Sequence, residues 1–130
     1  MLHISVKIVY VEDEPNIAEL LRSGLGLFGI TVHPLYMSAE ALLGNMQAIE
    51  FQEADIFFFD IRLPGMTGIA LAQELRQRGE QRPFVLVSAW PRPEQSLLDN
   101  INAQFLPKPF DFPDVIGTIQ RLIEEERQAL

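Results

Sequence analysis

Ile56-Phe57-Phe58-Phe59-Asp60 is the stretch that decides the fold, because four large apolar residues in a row end at a carboxylate. Such a run is typical of a strand that is buried on both faces, as in a parallel sheet covered by helices. The turn Leu63-Pro64-Gly65 follows, so we predict that Asp60 lies at the carboxyl end of a central strand. Ligands bind at that end of the strands in open α/β sheets, which makes Asp60 the first candidate for a functional residue.

The composition is that of a globular domain, and we expect one domain over residues 1–130. Hydrophobic residues make up 48% of the chain and charged residues 22%, which argues against disorder. The formal net charge is -8, and a surface of that charge repels nucleic acid phosphates. We therefore expect no direct binding of DNA or RNA by this domain.

The chain contains no cysteine, which excludes disulfides, thiolate metal sites and cysteine nucleophiles. No apolar run reaches the roughly 18 residues that a membrane span needs. The first strand-like run is interrupted by Lys7 and continues into Glu12, so it is a poor signal peptide. These features favour a cytoplasmic protein that is not bound to a membrane.

Apolar runs alternate with segments of helical periodicity along the whole chain. The predicted strands cover residues 4–11, 30–35, 56–60, 84–87 and 104–106. The predicted helices cover residues 16–28, 38–49, 67–78, 94–101 and 111–123. This alternation indicates an α/β fold, a flavodoxin-like (βα)5 doubly wound parallel sheet of five strands in the order 2-1-3-4-5. The fourth helix has a thin apolar stripe, so we expect it to be the least firmly held.

Polar side chains follow four of the five predicted strands directly. They are Glu12 and Asp13 after the first strand, Asp60 at the end of the third, Ser88 after the fourth and Lys108 after the fifth. The carboxyl ends of parallel strands share one edge of a sheet, so these side chains should converge on a shallow pocket.

Three carboxylates in one pocket repel one another and favour a hard divalent cation, and oxygen ligands alone suit magnesium. Such a metal could hold a phosphoryl oxygen while Lys108 offsets further negative charge and Ser88 donates a hydrogen bond. Asp60 is central among these groups. It could attack phosphorus as a nucleophile and give an aspartyl phosphate.

Each of these residues has a simpler explanation when it is considered alone. Asp13 could cap the first helix, and Asp60 could be a turn residue ahead of Pro64-Gly65. Ser88 could be an ordinary strand-end hydroxyl and Lys108 a solvated loop charge. Their common position at one edge of the sheet favours the functional interpretation.

Four motifs in this order resemble the CheY-like receiver domain of two-component response regulators. They are Val11-Glu12-Asp13-Glu14-Pro15, Phe59-Asp60-Ile61-Arg62-Leu63-Pro64-Gly65-Met66-Thr67-Gly68, Val87-Ser88-Ala89 and Leu106-Pro107-Lys108-Pro109-Phe110. The resemblance covers essentially the whole chain. It implies a signalling module that catalyses its own phosphoryl transfer and is not an enzyme with a turnover of metabolites.

The resemblance also implies a role for each motif residue. Asp60 would be the phosphoacceptor, and Mg²⁺ or Mn²⁺ would bind to Asp60, directly to Asp13, through water to Glu12 and to the backbone carbonyl of Arg62. Lys108 would contact the phosphoryl group, and the Lys108-Pro109 peptide would be cis.

The resemblance further implies the partners and the output. A sensor histidine kinase, a phosphotransfer protein of a phosphorelay or a small phosphodonor would supply the phosphoryl group. Ser88 and the aromatic residue Phe105 would be the switch, and the face of the fourth helix, fifth strand and fifth helix would change shape. That face would then act on a downstream output domain or form a homodimer.

Two residues depart from what is common in receivers and are candidates for tuning the reaction. Arg62 lies two positions after Asp60, and Trp90 lies two positions after Ser88. In receivers these positions border the path of the water that hydrolyses the acyl phosphate, so we expect a long-lived phosphorylated state. The alternative is that Trp90 only shields the loop and that Arg62 pairs with Glu12 or Glu14.

Three other functions are compatible with parts of the sequence. A metal-dependent phosphohydrolase that uses an aspartyl phosphate would require a second acid where Arg62 stands. A flavodoxin-like mononucleotide binder would require a glycine-rich phosphate loop after the first strand. A receiver-like module that serves only as an interaction surface would not need the full acidic set.

Overall fold

The computed structural model describes residues 5–89 and 91–128. Five strands form one sheet: β1 (Val6–Val11), β2 (Ile30–Tyr36), β3 (Ile56–Asp60), β4 (Phe84–Ser88) and β5 (Ala103–Pro107). The strands are parallel and lie in the order β2-β1-β3-β4-β5, so the predicted flavodoxin-like topology is confirmed. Asp60 ends the central strand, as the sequence predicts.

Helices connect the strands and follow the last one. They are α1 (Pro15–Gly26), α2 (Ala39–Leu43), α3 (Ile49–Gln52), α4 (Gly68–Gln77), α5 (Gln95–Ile101) and α6 (Phe112–Gln128). In the described part of the chain, none of these helices combines the length and the apolar character needed to cross a bilayer. The face that the sequence assigns to signalling consists of α5, β5 and α6.

The prediction of a single helix over residues 38–49 is wrong. Ser38 caps a helix start as expected, and its hydroxyl accepts a hydrogen bond from the Ala41 N–H at 3.0 Å. The helix then ends at Gly44, because glycine has a poor helix propensity and the Asn45 side chain binds the Ala41 carbonyl. The short helix α3 starts after this turn.

The core lies on both faces of the sheet, because side chains alternate along each strand. Phe57 and Phe59 pack on the face covered by α2, α4 and α5, whereas Phe58 packs against α1 and α6. All three phenylalanines are fully buried. The apolar run in β3 therefore supplies both halves of the core, and this explains why it contains no alternation of polar residues.

Two apolar residues within the helix predicted over residues 16–28, Leu20 and Phe28, lie outside the core. Leu20 is 52% exposed and Phe28 is 61% exposed, whereas Leu21 and Leu25 are buried. Leu20 points away from the sheet, and the helix ends at Gly26, so Phe28 lies beyond its last turn. Helical spacing alone did not separate these two pairs.

The peptide bond Lys108-Pro109 is cis, as the resemblance implied, and His33-Pro34 is cis as well. Lys108 follows β5 directly, and its N–H donates a 2.9 Å hydrogen bond to the Ser88 carbonyl at the end of β4. This bond continues the pairing of the two strands beyond their last residues. It fixes the backbone from which the lysine side chain reaches into the edge of the sheet.

Candidate functional site

The carboxyl edge of the sheet brings together the polar residues that follow the strands. Glu12 follows β1, Asp60 ends β3, Ser88 ends β4 and Lys108 follows β5. A shallow depression opens at this edge, lined by Asp13, Glu14, Asp60, Arg62, Ser88, Ala89 and Lys108. The predicted convergence is therefore present in the structure.

Three carboxylates form the centre of the site. Glu12, Asp13 and Asp60 each offer an oxygen, and these oxygens lie within 4.8 Å of one another. Glu12 is 1% exposed and Asp60 3% exposed, whereas Asp13 is half-buried. A set of oxygen donors with this much negative charge fits Mg²⁺ or Mn²⁺, which prefer carboxylates and water.

Lys108 bridges two of the carboxylates. Its Nζ lies 2.6 Å from Glu12 Oε1 and 3.4 Å from Asp60 Oδ2. β1 and β5 are separated by two strands, which corresponds to about 14 Å at the usual spacing. The long side chains of a glutamate and a lysine close this gap. An aspartate in place of Glu12 would be one methylene shorter, so the length of the glutamate side chain contributes to this contact.

The charges of these groups alter one another's protonation. Burial raises the pKa of Asp60 to about 6, and the neighbouring charge of Glu12 adds to this, while Lys108 and the Arg62 N–H act in the opposite direction. Burial alone would lower the pKa of Lys108, but its contacts with Glu12 and Asp60 outweigh burial and raise it. At neutral pH Asp60 is ionised at a cost that an added cation would relieve.

The predicted switch residues lie on neighbouring strands. Ser88 is 1% exposed at the end of β4 and lines the depression. Phe105 in β5 pairs in register with Leu86 and is half-buried against the core on the α4 and α5 side. Phe105 lies on the α5-β5-α6 face, and the switch role of the pair stays a prediction.

Arg62 is exposed at the mouth of the depression, and its backbone N–H donates to Asp60 Oδ1 at 3.3 Å. Its backbone carbonyl belongs to the same loop, and its metal-ligand role stays a prediction. Glu12, one of the two predicted ion-pair partners of Arg62, pairs with Lys108. Trp90, the other residue predicted to tune the reaction, lies outside the described residues.

The sequence alone indicates no role for three residues that hold the site together. Tyr10 donates from its hydroxyl to Glu12 Oε1 at 2.7 Å. Glu40 in α2 accepts a 3.0 Å hydrogen bond from the Met66 N–H, which ties the loop after β3. Gly68 passes so close to the Asp60 carbonyl that a Cβ there would overlap it. Only Tyr10 left a usable signal, a polar group two residues before Glu12 in an otherwise apolar strand.

Comparisons with known proteins agree with this geometry. The family model described as response regulator receiver domain matches residues 8–120. The DNA-binding transcriptional regulator NtrC of Escherichia coli K12 is 28% identical over 120 residues, which cover 91% of this chain and 25% of NtrC. Response regulator MprA of Mycobacterium ulcerans is 26% identical over 95% of this chain and 53% of MprA. The chain thus spans about a quarter and a half of these relatives.

Solved structures give the same result. The response regulator TrrA of Thermotoga maritima, solved in complex with Mg²⁺-BeF, matches with a TM-score of 0.77 and 26% identity, over 90% of this chain and 98% of that one. The response regulator StyR matches with a TM-score of 0.81 and 27% identity, over 97% of this chain and 64% of StyR. Fold, site geometry and family model agree, and the chain belongs to the receiver domain family of two-component response regulators.

Proposed function

We propose that the chain is a phosphorylation-dependent receiver in which Asp60 accepts a phosphoryl group in a reaction that requires Mg²⁺ or Mn²⁺. One observation carries this proposal. The oxygens of Glu12, Asp13 and Asp60 lie within 4.8 Å of one another, and the single ammonium of Lys108 lies between two of them. Asp13, Glu12, Asp60 and the Arg62 carbonyl would hold the metal.

The residues of the chain have separate tasks in this transfer. One oxygen of Asp60 forms a bond to phosphorus while the bond from phosphorus to the donor breaks, and the donor atom leaves with the electron pair. The ammonium group of Lys108 leaves Glu12 and forms an ion pair with one phosphoryl oxygen. Ser88 donates a hydrogen bond to another phosphoryl oxygen. A bound divalent cation supplies charge neutralisation for the transferred group.

The donor is proposed to be a phosphohistidine on a sensor kinase or on a phosphotransfer protein, and the transfer is proposed to take place in the cytoplasm. Ser88 and Phe105 then bias the α5-β5-α6 face toward a second packing. The helix α5 has seven residues and no side-chain cap at its start, so it is the element of this face that repacks at the lowest cost. An output domain or a second copy of the chain would read that change.

Labelling with a small acyl phosphate donor tests the proposal directly. With Mg²⁺ the wild-type protein should acquire one acid-stable, hydroxylamine-sensitive phosphoryl group, and chelation of the metal should prevent this. Asp60→Asn should abolish the label, whereas Asp99→Asn, which replaces an exposed acid on α5, should leave it intact.

Fluorescence gives a second readout, because Trp90 is the only tryptophan and stands two residues after Ser88. Mg²⁺ followed by beryllium fluoride, a phosphoryl mimic, should give saturable changes that Asp60→Asn removes. A flat signal together with no acyl phosphate label would contradict the proposal. Steady release of phosphate from a small ester would instead favour a phosphohydrolase.

A further inference from the structure

Tyr10 is a buried polar residue that the proposed reaction does not use. It is fully buried in β1, and its ring packs edge-to-face on Phe58 with 6.2 Å between the centroids. Its hydroxyl donates to Glu12 Oε1 at 2.7 Å, because side chains two residues apart in a strand share one face. Phenylalanine would fill the same apolar space, so the hydroxyl needs a reason of its own.

The oxygen that Tyr10 binds is the one that holds Lys108. Oε1 of Glu12 accepts from Tyr10 at 2.7 Å and from Lys108 at 2.6 Å, while Oε2 accepts a weaker bond from the Glu14 N–H at 3.3 Å. The Glu12 side chain has no surface exposed to bulk solvent, so a donor that leaves it is costly to replace. A buried carboxylate that loses a partner is strongly destabilised.

Lys108 must leave that oxygen in the proposed reaction. Its ammonium is 0.8 Å closer to Glu12 (2.6 Å) than to Asp60 (3.4 Å), whereas the transferred phosphoryl group would lie on Asp60. After this move Tyr10 is the donor that remains on Oε1. Its ring is fixed in the core, so it does not follow the lysine.

We propose that Tyr10 is a positioning residue that keeps a donor on Glu12 and thereby releases Lys108 to the phosphoryl group. The inference rests on the proposed function, because it concerns a step of that reaction.

The phenylalanine variants of the two tyrosines test this proposal. With saturating Mg²⁺, Tyr10→Phe should bind beryllium fluoride about tenfold more weakly, since without the hydroxyl no donor remains on the charged Oε1 of Glu12 once Lys108 has left it. Its Mg²⁺ affinity alone should stay within about threefold, since Lys108 still covers Oε1 in that state. Tyr36→Phe, the matched control on β2, should change neither affinity.

Equal affinities for Tyr10→Phe and wild type would overturn the proposal. An equal loss of Mg²⁺ and beryllium fluoride binding would overturn it too, because that pattern indicates a general structural defect.

A spectroscopic readout separates this proposal from the proposed function. The chain has two tyrosines, so ¹³C at the ζ position gives two signals. In Lys108→Met protein without any ligand, the Tyr10 signal should already be shifted, because the hydroxyl is then the stronger donor to Oε1. Beryllium fluoride should shift it in the same direction in the wild type. If Lys108→Met does not shift the Tyr10 signal, the Tyr10 proposal alone is contradicted. If the wild-type protein binds no beryllium fluoride, the proposed function is contradicted.

Discussion

Lys108 Nζ lies 3.4 Å from Asp60 Oδ2, so a long ion pair and the Arg62 N–H, at 3.3 Å from Oδ1, are what offset the burial of the Asp60 carboxylate. The same nitrogen lies 2.6 Å from Glu12. The lysine ammonium therefore lies closer to the neighbouring acid than to Asp60. The cost of this arrangement falls on Asp60, whose pKa is raised to about 6 by burial and by the charge of Glu12.

The stability of the metal-free protein should depend on the ionisation of Asp60. A carboxyl whose pKa is higher in the folded state favours folding below its unfolded value, near 4, and this contribution is lost as the pH rises through about 6. Asp60→Asn removes the buried charge and should raise the free energy of unfolding at pH 7.5 by about 1–3 kcal/mol. Urea denaturation in the presence of a chelator measures this. At pH 4 the gain should disappear, and a less stable Asp60→Asn protein at pH 7.5 would contradict the assignment.

Magnesium should stabilise the folded protein through Asp13. Because the ligand binds only the folded site, Mg²⁺ at a hundred times its Kd should add about 2.7 kcal/mol and raise Tm. Asp13→Asn removes one of the three carboxylates and should remove most of this gain. Asp99→Asn serves as the control, and thermal unfolding with and without Mg²⁺ is the measurement. A full magnesium response in Asp13→Asn would exclude Asp13 as a ligand.

The close approach of Gly68 to the Asp60 carbonyl should make this glycine irreplaceable. A methyl group there overlaps backbone atoms, so Gly68→Ala should cost about 2–4 kcal/mol and displace the acceptor loop. Gly117→Ala is the matched control, because no atom lies within 4 Å of the added Cβ in α6. That substitution should stabilise the protein by about 0.5–1 kcal/mol. Chemical denaturation of both variants gives the comparison, and equal effects would refute the packing argument.

Arg62 should lengthen the life of the phosphorylated state if it hinders the hydrolytic water. It lies at the mouth of the depression and is exposed, so its removal should not disturb the core. Arg62→Ala should speed the loss of the acyl phosphate by about tenfold, which corresponds to about 1.4 kcal/mol in the barrier. The decay of labelled protein measures the rate, with Arg121→Ala on α6 as the control. Wild-type decay within seconds would contradict the hypothesis.

The sequence was sufficient to predict the topology, because a strand that is buried on both faces of a sheet can be recognised from its unbroken run of apolar residues. The run in β3 and the acid that ends it predict a central parallel strand with a functional carboxylate. The spacing of the motifs then places Asp13, Ser88 and Lys108 at the same edge. The sequence was insufficient for residues 38–49 and for Leu20 and Phe28, because helical periodicity does not show where a helix ends or how wide a face the sheet covers.

The sequence by itself determined the fold, the edge of the sheet that carries the site and the identity of its acids, alcohol and amine. These follow from local patterns, since strands, turns and the order of the motifs can each be recognised from short stretches of sequence. Only the tertiary structure decided that Lys108 binds Glu12 more closely than Asp60 and that Tyr10 shares the same oxygen. Lys108 and Glu12 follow strands that are separated by two other strands in the sheet, so the lengths of these contacts depend on strand spacing and on the reach of each side chain, which no local pattern encodes.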